Sequence, residues 1–181
     1  YDAAVLRLRS EKAGSNSVFD CLSSLSSECL GKQASEDTWR EFSRLLGDKV
    51  VGEALAEVGQ GSTRSACRFN LEYDKGAAML LPHVAYMRNL TRILCATARA
   101  QAGDPATAAQ SWQTALTGLR LANALREEPL LISQLVRAAQ FTICIETIQR
   151  LCDTGLPTDE QIRAIDGLLM DFDGSHPLLR A

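Results

Sequence analysis

The sequence predicts an all-α protein: antiparallel helical hairpins in a stack or bundle, with one extended strap near residues 62–75. Three observations predict it. Apolar residues recur at spacings of three and four through most of the 181 residues. Helix-start and helix-stop residues punctuate those runs, as at Ser35, Gly47-Asp48, Gly103-Asp104-Pro105 and Thr158. A period of two occurs in one stretch, where Cys67, Phe69, Leu71 and Tyr73 alternate with Arg68, Asn70 and Glu72.

Residues 2–12 read as a short helix that Gly14, Ser15 and Asn16 break. Residues 17–31 place Val18, Leu22, Leu25 and Cys29 on one face, although the serines among them are poor helix formers. Ser35 is an N-cap for 36–46, with Thr38 where a full capping box has an acid; Trp39, Phe42, Leu45 and Leu46 make its apolar face. Gly47 ends that helix, and Asp48 caps another over 49–58 that Gly59 and Gly61 are expected to stop. A single strand cannot make a sheet, so the alternating segment reads as a strap across the helices.

Pro82 keeps Leu81 out of the helical region, so the next helix spans 82–102, with Val84, Met87, Leu90, Leu94 and Ala98 as its buried seam. Gly103 stops it. Asp104 then caps a helix over 105–126 with Pro105 in its first position, and Ala108, Trp112, Ala115, Leu119 and Ala122 share one face. Glu127 and Glu128 put negative charge at the start of the longest helix, 128–153, with Pro129 in its first turn. One stripe there holds Leu131, Leu135, Ala138, Ile145, Ile148 and Cys152, and a second holds Ile132, Val136, Ala139 and Ile143, with Phe141 beside it. Two stripes predict burial on more than one side, so this helix is expected at the centre. Gly155 and Pro157 stop it, and Thr158 with Gln161 forms a capping box for 158–172, leaving 173–181 as a tail. Short connections make the three long helices antiparallel in succession.

The length suits one domain: N-terminal helices to 58, the connection 59–75, a long-helix core 76–172 and the tail. Hydrophobic residues are 46% and charged residues 23%, ordinary for a globular chain. The net charge of −3 divides evenly, 10 basic against 12 acidic groups to residue 75 and 9 against 10 beyond. No basic half exists to follow a phosphate backbone, which argues against nucleic acid. No segment reads as transmembrane, and Arg137 and Glu146 make the longest helix a poor span. A chain opening on Tyr1 reads as a fragment or a processed product whose leader is gone.

Six cysteines stand at 21, 29, 67, 95, 144 and 152. Cys144 and Cys152 lie about 12 Å apart along one helix, beyond disulfide reach, and Cys21 and Cys29 repeat that separation. With no CxxC, zinc is not expected. The thiols read mainly as free, buried small hydrophobes, with long-range bridges, for instance through Cys67, left open.

Chemistry-bearing motifs are sparse. His83 and His176 have no second ligand at metal spacing, and His83 reads as a helix-start residue. GQGST at 59–63 lacks the lysine of a phosphate loop, and no nucleophile-elbow motif is present. Glu127 and Glu128 read as helix-terminal charge, Asp171 and Asp173 as part of a fraying end, and the Asn89-Leu90-Thr91 sequon as chance within a helix. No catalytic, cofactor-binding or metal-binding residue is assigned. Arg88, Arg92 and Arg99 share a helix face; a solvated face is the plainer reading, and an anion or acidic-peptide groove the sharper one. Arg137, with Ser133 and Gln134, interrupts the longest helix and reads first as a structural network with a glutamate such as Glu128 or Glu146, and second as a further arginine of that binding set.

Residues 92–115 resemble one tetratricopeptide unit: Cys95-Ala96 stands at its Leu-Gly position, Gly103 at its turn, and Ala108, Trp112 and Ala115 at its small–aromatic packing positions. Arg99 stands where that family has Tyr, no Pro follows the second helix, and no second copy is found. More broadly, ACRFNLEYDKGAAMLLPH, MRNLTRIL and EEPLLISQLVRAA resemble a group of uncharacterised helical bacterial proteins over residues 65–140. That resemblance implies an exported chain, membrane-tethered through a preceding segment. The function expected is a non-enzymatic protein-interaction or scaffold domain; the alternative is a small-molecule- or anion-binding, or enzymatic, helical domain with an internal pocket. An exposed apolar face would favour the first, and a cavity lined by Arg88, Arg92 or Arg137 the second.

Overall fold

The computed structural model describes residues 1–13, 16–31, 34–64 and 66–174. Its helices are α1 (Asp2–Ser10), α2 (Val18–Cys29), α3 (Glu36–Leu46), α4 (Lys49–Ser62), α5 (Pro82–Gly103), α6 (Ala108–Asn123), α7 (Leu131–Cys152) and α8 (Asp159–Gly174). The fold is all-α. The strands among the described residues are two-residue pieces, β1 (Lys12–Ala13) and β2 (Asn16–Ser17), paired antiparallel with Lys12 opposite Ser17. Gly14 and Ser15, His176 and the rest of 175–181 lie outside the described residues.

Short polar side chains start several helices as their positions predict. The Ser35 hydroxyl accepts from the Thr38 N–H at 3.1 Å, and the Asp48 carboxylate from the Val50 N–H at 2.7 Å. At α8 the capping box closes both ways: Gln161 Oε1 accepts from the Thr158 N–H at 2.8 Å, and Thr158 Oγ1 from the Gln161 N–H at 3.3 Å. Pro82 occupies the first turn of α5.

Other boundaries move. Gly59 and Gly61 do not stop α4, which continues to Ser62. Gly61 has a packing use, because a Cβ there would stand 3.3 Å from the Tyr1 ring. Pro105 does not begin α6. Asp104 Oδ1 accepts from the Ala106 N–H at 3.0 Å, closing a separate turn before the helix starts at Ala108. Pro129 likewise precedes α7. Residues 66–72 are irregular, with Cys67, Phe69 and Leu71 half-buried and the residues between them exposed, and 73–78 coil into a 3₁₀ turn.

The largest correction concerns the centre of the molecule, which is α5 and not α7. Every residue from Ile93 to Ala98 is buried, and α5 packs against α2, α3, α6 and α7. Leu90, Ile93 and Leu94 join Leu8, Leu22, Phe42, Val51 and Val58 in the main core. Each such side chain is worth roughly 1.5–3 kcal/mol on burial. Trp112, Ala115 and Leu119 carry α6 into the adjoining clusters. Thr91 of α5 faces Gln140 of α7, and Cys95 faces Cys144, so those two helices run parallel. The short connections set α6 antiparallel between them.

The expected stripes of α7 point inward only in part: Val136, Ile143 and Ile148 are half-buried against the core, and the members at the two ends are not. Leu131, Ile132 and Leu135 are 61%, 50% and 58% exposed, and Cys152, placed in the same seam, is exposed as well. The buried row is Ser133, Arg137, Gln140, Cys144, Thr147 and Leu151, at steps of four and three. Apolar and polar residues alternate around this helix, so periodicity could not say which row faces the core.

Candidate functional site

Arg137 is 1% exposed and sits where α6, α7 and α8 meet. Its Nη2 donates to Asn123 Oδ1 at 2.6 Å and to the Asp171 carbonyl at 3.4 Å, while Nη1 donates to Gln134 Oε1 at 3.4 Å. The guanidinium carbon lies 5.0 Å from the Phe172 ring centre and 5.7 Å from that of Phe141. Those two rings are 4.3 Å apart. Burial, with Arg126 nearby, pulls the guanidinium below the usual arginine range, and Asp171 and Glu127 oppose that.

The network continues outward. Asn123 Nδ2 donates to Asp171 Oδ2 at 3.3 Å, and Arg126 bridges Asp171 at 3.4 Å and Glu127 at 3.0 Å. Gln134 Nε2 donates to the Leu125 carbonyl at 3.0 Å and the Glu128 carbonyl at 2.6 Å, tying down the turn before α7. This turn begins where the sequence predicted more helix. Its closure delivers Glu128 inward, where Oε1 lies 2.8 Å from His83 Nε2 with both side chains buried. Glu128 is therefore a buried partner of His83 and not a solvent-facing helix-end charge. Neither Glu128 oxygen has a well-directed hydrogen bond, so the pair is one of close approach. Phe69 stacks on the His83 ring at 4.3 Å, which seats the 66–72 segment on α5.

Beside Asn123 and Asp171 opens a groove of about 660 Å³. Its walls come from Tyr1, the end of α4 with Arg64 and Cys67, the end of α6 with Arg120, the following turn, and Leu168 of α8. Arg64 and Arg120 form no ion pair among the described residues, whereas Arg126 is held by the two acids. Burial pushes the Tyr1 hydroxyl up to about 12, with Cys67 adding to the shift and Arg64 opposing it.

The four arginines singled out in the sequence do not share one set of contacts. Arg88 is exposed and next to half-buried Arg92, whose guanidinium is lowered first by burial and then by Arg88. Arg99 is half-buried, lowered first by burial and then by Arg150, and it also lies near Cys95, Glu146 and Cys29. Arg137 belongs to the α6–α8 network. Glu128 is committed to His83, and Glu146 stands beside Arg99. Arg64 and Arg120 carried no motif and lie 56 positions apart, so only folding brings them together.

Among the described residues no group of three or more His, Cys, Asp or Glu could hold a metal ion, and no helix is long and apolar enough to cross a membrane. No family model, no curated protein and no solved structure matches the chain.

Proposed function

We propose that this chain is a helical protein-interaction domain that docks an amphipathic helix of its partner along the first half of α7. One observation carries the reading. Leu131, Ile132 and Leu135 form an exposed apolar ridge on a helix that turns its polar row inward. Leu131 and Leu135 are one turn apart with Ile132 between them, and Ala139 continues the ridge, the spacing that helix-in-groove recognition uses. Apolar side chains gathered on a surface in this way mark interaction sites.

The test uses the full chain and a panel of immobilised amphipathic helical peptides with leucines at positions i, i+3, i+4 and i+7. The wild type retains a subset of the panel, and Leu131→Ser/Leu135→Ser weakens those interactions at least tenfold while melting unchanged. Equal retention by both proteins, or none by the wild type, overturns the reading.

A second reading, small-anion binding, rests on Arg64 and Arg120 lining the groove without ion-pair partners. Calorimetric titration with inorganic phosphate or citrate tests it. Saturable binding that Arg64→Ala/Arg120→Ala abolishes supports it, and no heat in the wild type ends it.

A further inference from the structure

The two most deeply buried sulfurs in neighbouring helices lie together. Cys95 of α5 and Cys144 of α7 are both fully buried, and their Sγ atoms are 3.7 Å apart. Gly118 of α6 lies against the pair: a Cβ there would stand 3.3 Å from the Cys144 sulfur and 3.7 Å from that of Cys95. Any larger residue at 118 would push the sulfurs, so the hydrogen of Gly118 leaves the space that they fill. Between them the chain runs 49 positions, through all of α6.

We propose that Cys95 and Cys144 are an oxidisable dithiol that closes to a disulfide, joining α5 to α7 across Gly118. A bond of about 2.05 Å asks the sulfurs to approach by less than about 2 Å, a distance that side-chain rotation with a small helix shift supplies. The oxidant must be small, because the sulfurs have no exposed surface and a bulky disulfide reagent cannot reach them without separating the helices. Hydrogen peroxide is a two-electron oxidant of that kind. The Cys95 sulfur attacks one peroxide oxygen and becomes a sulfenic acid, and the other oxygen leaves as water with the thiol proton. The Cys144 sulfur then displaces the sulfenic hydroxyl, which leaves as a second water with the Cys144 proton. Two electrons pass from the sulfurs to the peroxide for the one S–S bond formed.

The surroundings divide the two roles. A shared hydrogen bond with Cys144 draws the Cys95 thiol below the usual cysteine range, burial opposes it, and the Thr147 hydroxyl and the Arg99 guanidinium lower it further. The same hydrogen bond, then burial, pushes Cys144 well above that range. Arg99 near Cys95 favours a thiolate there, which makes Cys95 the sulfur that attacks and leaves Cys144 to resolve.

The experiment treats the reduced full chain with hydrogen peroxide, blocks remaining thiols with iodoacetamide in denaturant, and maps tryptic peptides by mass. Exposed Cys152 serves as the internal control for oxidation. The expected product is a Cys95–Cys144 linked peptide pair, two hydrogens lighter than the reduced pair and separated by reductant. Thermal melting rises by roughly 10 °C for a loop of this length. Cys144→Ala leaves a Cys95 sulfenic acid that dimedone captures once denaturant separates the helices, and raises no melting point. Full alkylation of Cys95 and Cys144 after Cys152 has been oxidised overturns the proposal. So does over-oxidation of Cys95 with no link to Cys144. Both readings come from the wild-type chain and do not depend on the variant folding.

Discussion

α5 and α7 are parallel neighbours of equal length, 22 residues each, seated in opposite ways. Against its neighbours α5 presents Met87, Leu90, Ile93, Leu94 and Ala98. On α7 the inward row is Ser133, Arg137, Gln140, Cys144, Thr147 and Leu151, with buried Phe141 beside it. Burial holds α5 and is non-directional; a small roll costs little if volume is kept. On α7 the hydrogen bonds of Gln134, Arg137 and Gln140 add direction to the packing of Phe141, Cys144 and Leu151, because each fixes an angle as well as a distance. The difference teaches that one bundle can separate stability from register, placing the first in one helix and the second in its neighbour.

The comparison breaks most visibly at Arg137. Arg137→Ala leaves Asn123 Oδ1 without its closest donor and opens a void beside Phe141 and Phe172. A loss of about 3–5 kcal/mol, roughly 10 °C in Tm, is expected in chemical or thermal unfolding. Leu90→Ala in α5 should fall in the range of about 2–5 kcal/mol by cavity formation. A cost at Arg137 well below that at Leu90 would mean that α7 too is held by apolar contact.

Gln140→Leu sharpens the contrast with a smaller effect. Gln140 Nε2 donates to Thr91 Oγ1 at 2.8 Å, Thr91 keeps its own bond to the Met87 carbonyl at 3.0 Å, and Gln140 Oε1 has no partner. Exchanging such a half-satisfied amide for an apolar side chain should change stability by under about 1 kcal/mol in either direction. Loosened protection of α7 amides in hydrogen exchange would still reveal lost register. Least of all, Leu131→Ser and Leu135→Ser should each move stability by no more than about 0.5 kcal/mol, since both side chains are already wet.

A thiol-reactivity experiment adds a separate check on depth. Burial pushes the Cys29 thiol up to about 11, with Glu28 adding to the shift. At pH 8 Cys29 should therefore stay unmodified in native protein while exposed Cys152 reacts; modification of both at similar rates would place Cys29 near solvent.

Local features of the fold were legible in the sequence. Ser35, Asp48 and the Thr158–Gln161 pair cap their helices within their own first turns, and such contacts need no tertiary information. The alternation at 66–72 also survives as alternating burial. Pro105 misled because Asp104 caps a local turn that ends before α6 starts at Ala108, and Pro129 because its turn is held by Gln134 from within α7. The orientation of the first half of α7 was not legible, because its polar row is as regular as its apolar ones and the partners of that row, Asn123, Asp171 and Thr91, come from other helices. The groove draws on segments near residues 1, 64, 120 and 168, and nothing local announces that they meet.

The polar seat of α7 has a bearing on its outer side. Here a turn of one residue, about 100°, would lift Arg137 from between the phenyl rings and strand Asn123 and Gln140. The outward leucines are thus kept on the surface by the polar contacts behind them.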